Sequence, residues 1–274
     1  MAKTVWGGQI LISNILFRLA IPSILFAFVN FFPKKILRGE GISVTELLMD
    51  TIGGCSLWFT CSLTLVQILV FVMLLSRRKA VWMYVGVAIG IAVLGVVLNK
   101  NGTVILGSID FPWFYKRAML ALLYVVCGGV YYQYEATIMK ILKRWYVLLA
   151  LIAFYIVVEY AFPKNALCLT SMGEMNVLGV LVSIVGSLLL IELCRRINEN
   201  KVLTYIGKNS IVYYFFSGAI PVTLSALLSR FFPVNSLLVM LLVFLTSLML
   251  ASIVSYIVGK WMPALLDFRK IRIK

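Results

Sequence analysis

Apolar stretches of roughly twenty residues, separated by short segments holding almost all the charge, run along the whole of this chain. About 20 apolar residues in a helix span the ~30 Å hydrocarbon core of a bilayer. Hydrocarbon supplies no water to the backbone, so each stretch must satisfy its own N–H and C=O groups. The runs are continuous rather than alternating, which selects helices over a β-barrel. They fall near residues 10–32, 57–75, 80–98, 114–133, 146–162, 177–194, 209–228 and 236–258. The expectation is an all-α integral membrane protein, a bundle of about eight transmembrane helices forming a single domain over residues 1–274.

Composition excludes a soluble alternative. Only 13% of the 274 residues are charged and 62% are apolar, whereas soluble domains keep about a quarter of their residues charged. Met1-Ala2-Lys3 leads into a span containing Arg18 and Pro22 with no small-residue cleavage site, so no cleavable signal peptide is expected.

The net charge of +15 is distributed unevenly. One set of loops carries Lys3, Arg77-Arg78-Lys79, Lys140, Lys143, Arg144, Arg195, Arg196, Lys201, Lys208 and the basic tail from Lys260 to Lys274. The alternate set carries half as many cations: Lys34, Lys35, Arg38, Lys100, Lys116, Arg117, Lys164 and Arg230. The positive-inside rule puts the richer set, and both termini, in the cytoplasm. Cations dispersed over short loops suit contact with anionic lipid, not nucleic acid. The outer cluster Lys34-Lys35-Ile36-Leu37-Arg38 stands against the trend and is read as part of a long loop.

Histidine is absent, which removes the commonest general base and proton shuttle. The five cysteines (Cys55, Cys61, Cys127, Cys168, Cys194) form no C-x-x-C pair, so no metal site is expected. Cys55 and Cys168 both fall on the outer side, where a disulfide is an open alternative.

Several polar residues need a reason to be where they are. Arg18, four residues before Pro22 in "LFRLAIPS", either lines a cavity or snorkels to the inner headgroups. Glu159, in "YIVVEYAFP", is either an interfacial carboxylate or a base in an outward pocket. Asp110, before Pro112, reads as a turn residue beside interfacial aromatics. The segment "GGCSLWFTCSL" (Gly53–Leu63) reads either as a plain aromatic anchor at Trp58-Phe59 or, from its small residues, as a tight or re-entrant entry to a span. Gly86-x-x-x-Gly90 reads as a helix-packing face, and Asn101-Gly102-Thr103 matches a glycosylation acceptor. In Gly207-Lys208-Asn209-Ser210, Asn209 or Ser210 can cap a helix. Lys208 opposes the dipole of a helix starting there, but with free amides it suits a phosphate.

Three motifs in order resemble the acyltransferase 3 family of multispanning membrane acyltransferases. "FRLAIP" (Phe17–Pro22) resembles the family's R-L-L-x-P entry to a span, "SLWFTCSL" (Ser56–Leu63) its l-W-F-L segment, and "IGKNSIVYYFFS" (Ile206–Ser217) its G-K-N-S-l-x-x-Y signature. The resemblance implies an integral protein of a bacterial cytoplasmic membrane that O-acetylates a cell-envelope polysaccharide or glycolipid. Cytoplasmic acyl-CoA is the implied donor and co-substrate, with no cofactor held. Carried over by position, Arg18, Lys208, Asn209 and Ser210 bind the donor, while Gly207, Trp58, Tyr213, Tyr214 and Pro22 form the motif scaffold. Members have ten spans, and these eight correspond to the last eight. The family's arginine and histidine centre lies in the two spans without counterpart, and Ser217 stands where a histidine often follows the tyrosine. Glu159 or Asp110 is then the base of an active chain. The alternatives are a non-catalytic or N-terminally truncated relative and a glycan transporter, which calls for midplane polar residues and an internal repeat.

The orientation is checked with reporter fusions. A fluorescent protein after Lys274 is expected to fluoresce and alkaline phosphatase there to be inactive, with the opposite pattern after Lys164. The reversed result overturns the assignment.

Overall fold

The computed structural model describes residues 15–39, 41–75, 81–100, 113–161, 177–197, 200–228 and 237–262. A π-helical turn, Leu16–Ala20, opens into α1 (Ile21–Arg38). There follow α2 (Val44–Thr51), α3 (Trp58–Leu75), α4 (Val81–Lys100), α5 (Tyr115–Gln133) and α6 (Glu135–Leu142). The order closes with α7 (Trp145–Ala161), α8 (Val177–Arg196), α9 (Lys201–Lys208), α10 (Ser210–Phe216), α11 (Ala219–Leu228) and α12 (Leu237–Trp261). No strand occurs among the described residues.

Each of the eight apolar stretches is helical where described, but they do not all qualify as spans. Val81–Leu98, Leu178–Arg196 and Leu237–Trp261 are each long and apolar enough to cross a membrane. Two bent pairs raise the number to five if each is one broken span: α6 with α7, at 87°, and α10 with α11, at 43°. Over the described residues, α3 and the apolar part of α1 are shorter apolar helices. Over the described residues the chain is therefore all-α, with three to five candidate membrane spans.

Chain contacts group the molecule into two compact units. The first is built on Leu65–Asn198, the second on Ile10–Thr64 with Glu199–Lys274. In the first, α4 packs on α5 and α7 on α8. A Cβ added at Gly95 meets Met119 Cβ at 3.0 Å and the Lys116 carbonyl oxygen at 3.2 Å. One added at Gly186 meets Tyr155 Cε2 at 3.0 Å. Gly86 and Gly90 have nothing within 4 Å of such an atom, so the close approach on α4 is at Gly95, not at the Gly86-x-x-x-Gly90 pair expected to pack. Arg195 Nη1 meets Glu135 Oε1 at 2.7 Å, linking α8 to α6.

The second unit begins where Pro22 disturbs its helix. Proline carries no N–H for the carbonyl four residues back, and the turn before it opens into π geometry, with the Ile21 N–H reaching the Leu16 carbonyl. Single π turns recur where a helix absorbs such a fault. Ser23 Oγ donates to the Leu19 carbonyl at 2.6 Å.

Helix α1 runs past Pro33 to Arg38, which corrects the long-loop reading of Lys34–Arg38. These cations occupy the C-terminal end of a helix, where positive charge complements the dipole. Gly39, at φ 65°, ends α1 by donating to the Ile36 and Lys35 carbonyls, the left-handed cap that glycine favours. Lys35 Nζ lies 2.7 Å from Glu46 Oε2 on α2, so one lysine of the cluster that ran against the charge trend has an acidic partner. After α2 the chain turns tightly at Gly54, φ 78°, with the Cys55 N–H on the Met49 carbonyl. The tight approach read from "GGC" is present.

The Gly95 contact yields a paired prediction. Gly95→Val is expected to lower the stability of detergent-solubilised protein by about 1–3 kcal/mol more than Gly90→Val, the range for overpacking. Equal thermal midpoints for the two variants contradict the close approach, because the propensity cost of valine is common to both.

Candidate functional site

Two of the motif segments meet in the second unit, and the helix that follows the first motif joins them. The Phe26 ring of α1, one turn after Pro22, stacks on Phe215 of α10 at 4.3 Å and meets Phe216 edge-on at 5.6 Å. With Ala27, Leu57 and Val258 these rings make a buried apolar cluster, joined at its edge by Ile211, Tyr214 and Val254. Helix α1, the start of α3, α10 and α12 thus share one core.

Polar bonds fix the register of this core. Helix α10 ends at Phe216, and carbonyls in the last turn of a helix lose their intrahelical donors. Asn30, buried on α1, donates Nδ2 to the Phe215 carbonyl at 2.8 Å. The Phe59 N–H, at the start of α3, donates to Tyr214 Oη at 3.2 Å, and the two rings lie 5.3 Å apart. Ser252 Oγ donates to the Leu248 carbonyl at 2.7 Å. Its one proton is committed there, so Tyr213 is the donor in the 2.7 Å Tyr213–Ser252 hydroxyl contact. Tyr213 and Tyr214 therefore bond to different elements, α12 and α3.

The unit also buries many hydroxyls: Ser23, Thr51, Thr60, Ser62, Thr64 and Ser255. Several satisfy themselves on their own helix, as Thr51 does at Leu47, Thr60 at Leu57 and Thr64 at Thr60.

The Gly207–Ser210 segment differs from the expectation in one respect. It is the junction of two helices rather than the free mouth of one. Lys208 is the last residue of α9, where a cation suits the dipole. That removes the conflict read from sequence. Asn209 stands at the N-cap of α10 without a side-chain cap bond. Its amide instead donates back to the Tyr205 carbonyl at 2.9 Å. The expected capping by Asn209 is corrected: its side chain is turned back onto the preceding helix, and its oxygen takes none of the N–H groups a cap would serve. The real side-chain cap is Asn200, whose oxygen accepts from Val202 and Leu203 N–H groups at 2.9 and 3.2 Å. Gly207, Lys208 and Ser210 are exposed.

The remaining sequence candidates are scattered. Trp58 opens α3, its ring 5.9 Å from Phe59. Arg18 lies in the π turn and Pro22 is fully buried beside it. Glu159 lies on α7, in the first unit. Asp110, Asn101-Gly102-Thr103 and Cys168 lie outside the described residues. Ser217, exposed, donates to the Tyr214 carbonyl at 2.8 Å. Among the described residues no group of His, Cys, Asp or Glu could hold a metal. Sequence reading missed Asn30, Ser252 and Phe26; the lone amide in "FVNFF" was the signal for Asn30.

Comparison with known protein families, with characterised proteins and with solved structures returns no match. The chemistry of the site is accordingly argued from its residues.

Two measurements test these contacts. Asn30→Leu leaves the Phe215 carbonyl unpaired and is expected to cost about 1–3 kcal/mol, the penalty for a stranded buried acceptor; an unchanged thermal midpoint contradicts the bond. Burial first, and then the charge of Asp50, hold the Cys55 thiol above its ordinary value. The thiolate is the reactive form, so maleimide labelling of Cys55 is expected to rise at higher pH than for a free thiol. Asp50→Asn should bring that midpoint part of the way down, since burial remains. A midpoint that stays or rises removes Asp50 from the account.

Proposed function

We propose that this chain is a membrane O-acyltransferase of the acyltransferase 3 type, passing an acetyl group from cytoplasmic acyl-CoA to a hydroxyl of an envelope glycan. What supports the reading is that two sequence-remote motif segments, Ser56–Leu63 and Ile206–Ser217, share one core with the helix that follows the first motif, with Phe59 on Tyr214 and Phe26 on Phe215. Segments that merely look familiar have no reason to share a buried cluster; segments that form a common site do.

In this reading eight spans cross the membrane with both termini in the cytoplasm. Lys208, the exposed cation at the end of α9, meets the phosphates of the donor, with Asn209, Ser210 and Arg18 contributing. Gly207, Trp58, Tyr213, Tyr214 and Pro22 hold the segments in register. Glu159 or Asp110 takes the hydroxyl proton while the acyl carbon passes from sulfur to oxygen, leaving free coenzyme A. The second reading, a non-catalytic relative, rests on the complete absence of histidine, which the motif's usual chemistry employs.

Reconstituted protein with radiolabelled acetyl-CoA and envelope glycan separates the two. Transfer that falls on Glu159→Gln or Asp110→Asn supports catalysis, and no transfer by protein shown to be folded removes it. If the enzyme is active, Lys208→Ala is expected to raise KM for acetyl-CoA about tenfold or more, the loss of one charge-assisted contact of roughly 1.5–3 kcal/mol. An unchanged KM takes Lys208 out of the donor site.

A further inference from the structure

Helix α9 is amphipathic on a short scale. Val202, Tyr205 and Ile206 recur at the spacing of one helical face and Leu203 flanks it, while Lys201 and Lys208, seven apart, share the other side. None of its residues is buried, and Val202 and Leu203 are 65% and 55% exposed. An apolar face left open on a helix of this kind needs a covering surface.

The position of α9 says what that surface is. Tyr205 Oη donates to Ser255 Oγ of α12 at 3.5 Å. Helix α12, 25 residues long, is long and apolar enough to cross a membrane. Beside Ser255, the end of α12 carries Tyr256, Lys260 and Trp261, all exposed. Lys260 Nζ lies 5.5 Å from the Tyr256 ring centre and 5.6 Å from that of Trp261. Trp, Tyr and Lys at a span end mark the headgroup layer. Helix α9 is therefore tied to α12 at headgroup depth, with its lysines on the polar side.

We propose that α9 is an interfacial helix that lies in the bilayer surface and recognises anionic phospholipid through Lys201 and Lys208, with Lys260 at the same level. Apolar side chains enter the acyl boundary while lysines meet headgroup phosphates, the arrangement of surface-seated amphipathic helices. The inference needs no acyl transfer, since a chain with no activity holds the leaflet equally well, and it gives Lys208 to the lipid where the acyl-transfer reading gives it to the donor. Phosphate is the shared chemistry of lipid and acyl-CoA. The occupant named here is the lipid, because α9 offers an apolar face that a soluble donor has no means to cover.

The test uses the full chain in nanodiscs of phosphatidylcholine, with or without phosphatidylglycerol. Hydrogen exchange over residues 201–208 and native mass spectrometry of retained lipid are read together. The expected result is slower exchange in discs containing phosphatidylglycerol and preferential retention of that lipid. Lys201→Gln with Lys208→Gln should weaken the preference about fivefold per lysine, as about 1 kcal/mol per cation implies. Lys201→Arg with Lys208→Arg should restore it, which separates lost charge from lost folding. Exchange indifferent to phosphatidylglycerol overturns the proposal. So does protection conferred by acetyl-CoA in phosphatidylcholine alone, or protection that follows protein-to-disc ratio and so reports a second copy.

Discussion

A carbonyl near the end of a helix needs a hydrogen-bond donor from beyond its own turns, and the second unit is arranged around one such group. The break between α10 and α11 leaves Phe215 near a helix end, and Asn30 of α1 supplies the donor at 2.8 Å. That bond sets the height of α1 against α10. The Phe26–Phe215 stack follows from the height, and the Phe59–Tyr214 bond then fixes where α3 begins. A stranded buried acceptor costs about 1–3 kcal/mol, as much as or more than a single ring contact contributes. The aromatic core is specific because the polar bond admits one register.

Much of the architecture was legible in sequence because the same constraint writes it there. All eight apolar stretches fold as helices over their described residues. Hydropathy could not distinguish a straight span from a broken one. The 87° bend between Leu142 and Trp145 and the break after Phe216 each sit inside or beside a run that reads as continuous. The sequence reading placed Lys34–Arg38 in a loop because the first apolar stretch ends near residue 32. The helix continues to Gly39, whose left-handed conformation ends it. The motif residues were visible singly, but not Asn30 or Ser252, which matter through partners far away in sequence. A pattern of small residues picked Gly86 and Gly90, while the close contact is at Gly95, whose neighbours on α5 no spacing rule names.

The polar residues of the second unit fall into two kinds with different uses. Buried hydroxyls at Ser23, Thr51 and Thr64 return their protons to the preceding turn of their own helix. Asn30, Tyr213 and Tyr214 reach across to another helix. The first kind makes a helix tolerant of small polar residues, and the second makes the helices recognise one another. Residues carrying the acyltransferase resemblance belong largely to the second kind, or to the α9–α10 junction beside it.

The split between self-satisfied and partner-dependent groups also bears on how the chain enters a membrane as it is made. A helix whose hydroxyls bond within their own turn can leave the insertion machinery alone. Asn30 cannot be served that way, because its acceptor lies 185 residues further along the chain. Until α10 is synthesised, α1 carries an amide whose native partner does not yet exist. The early helix must therefore wait in a sheltered place, and the second unit, whose halves flank the whole of Leu65–Asn198 in sequence, closes only after that stretch has been made.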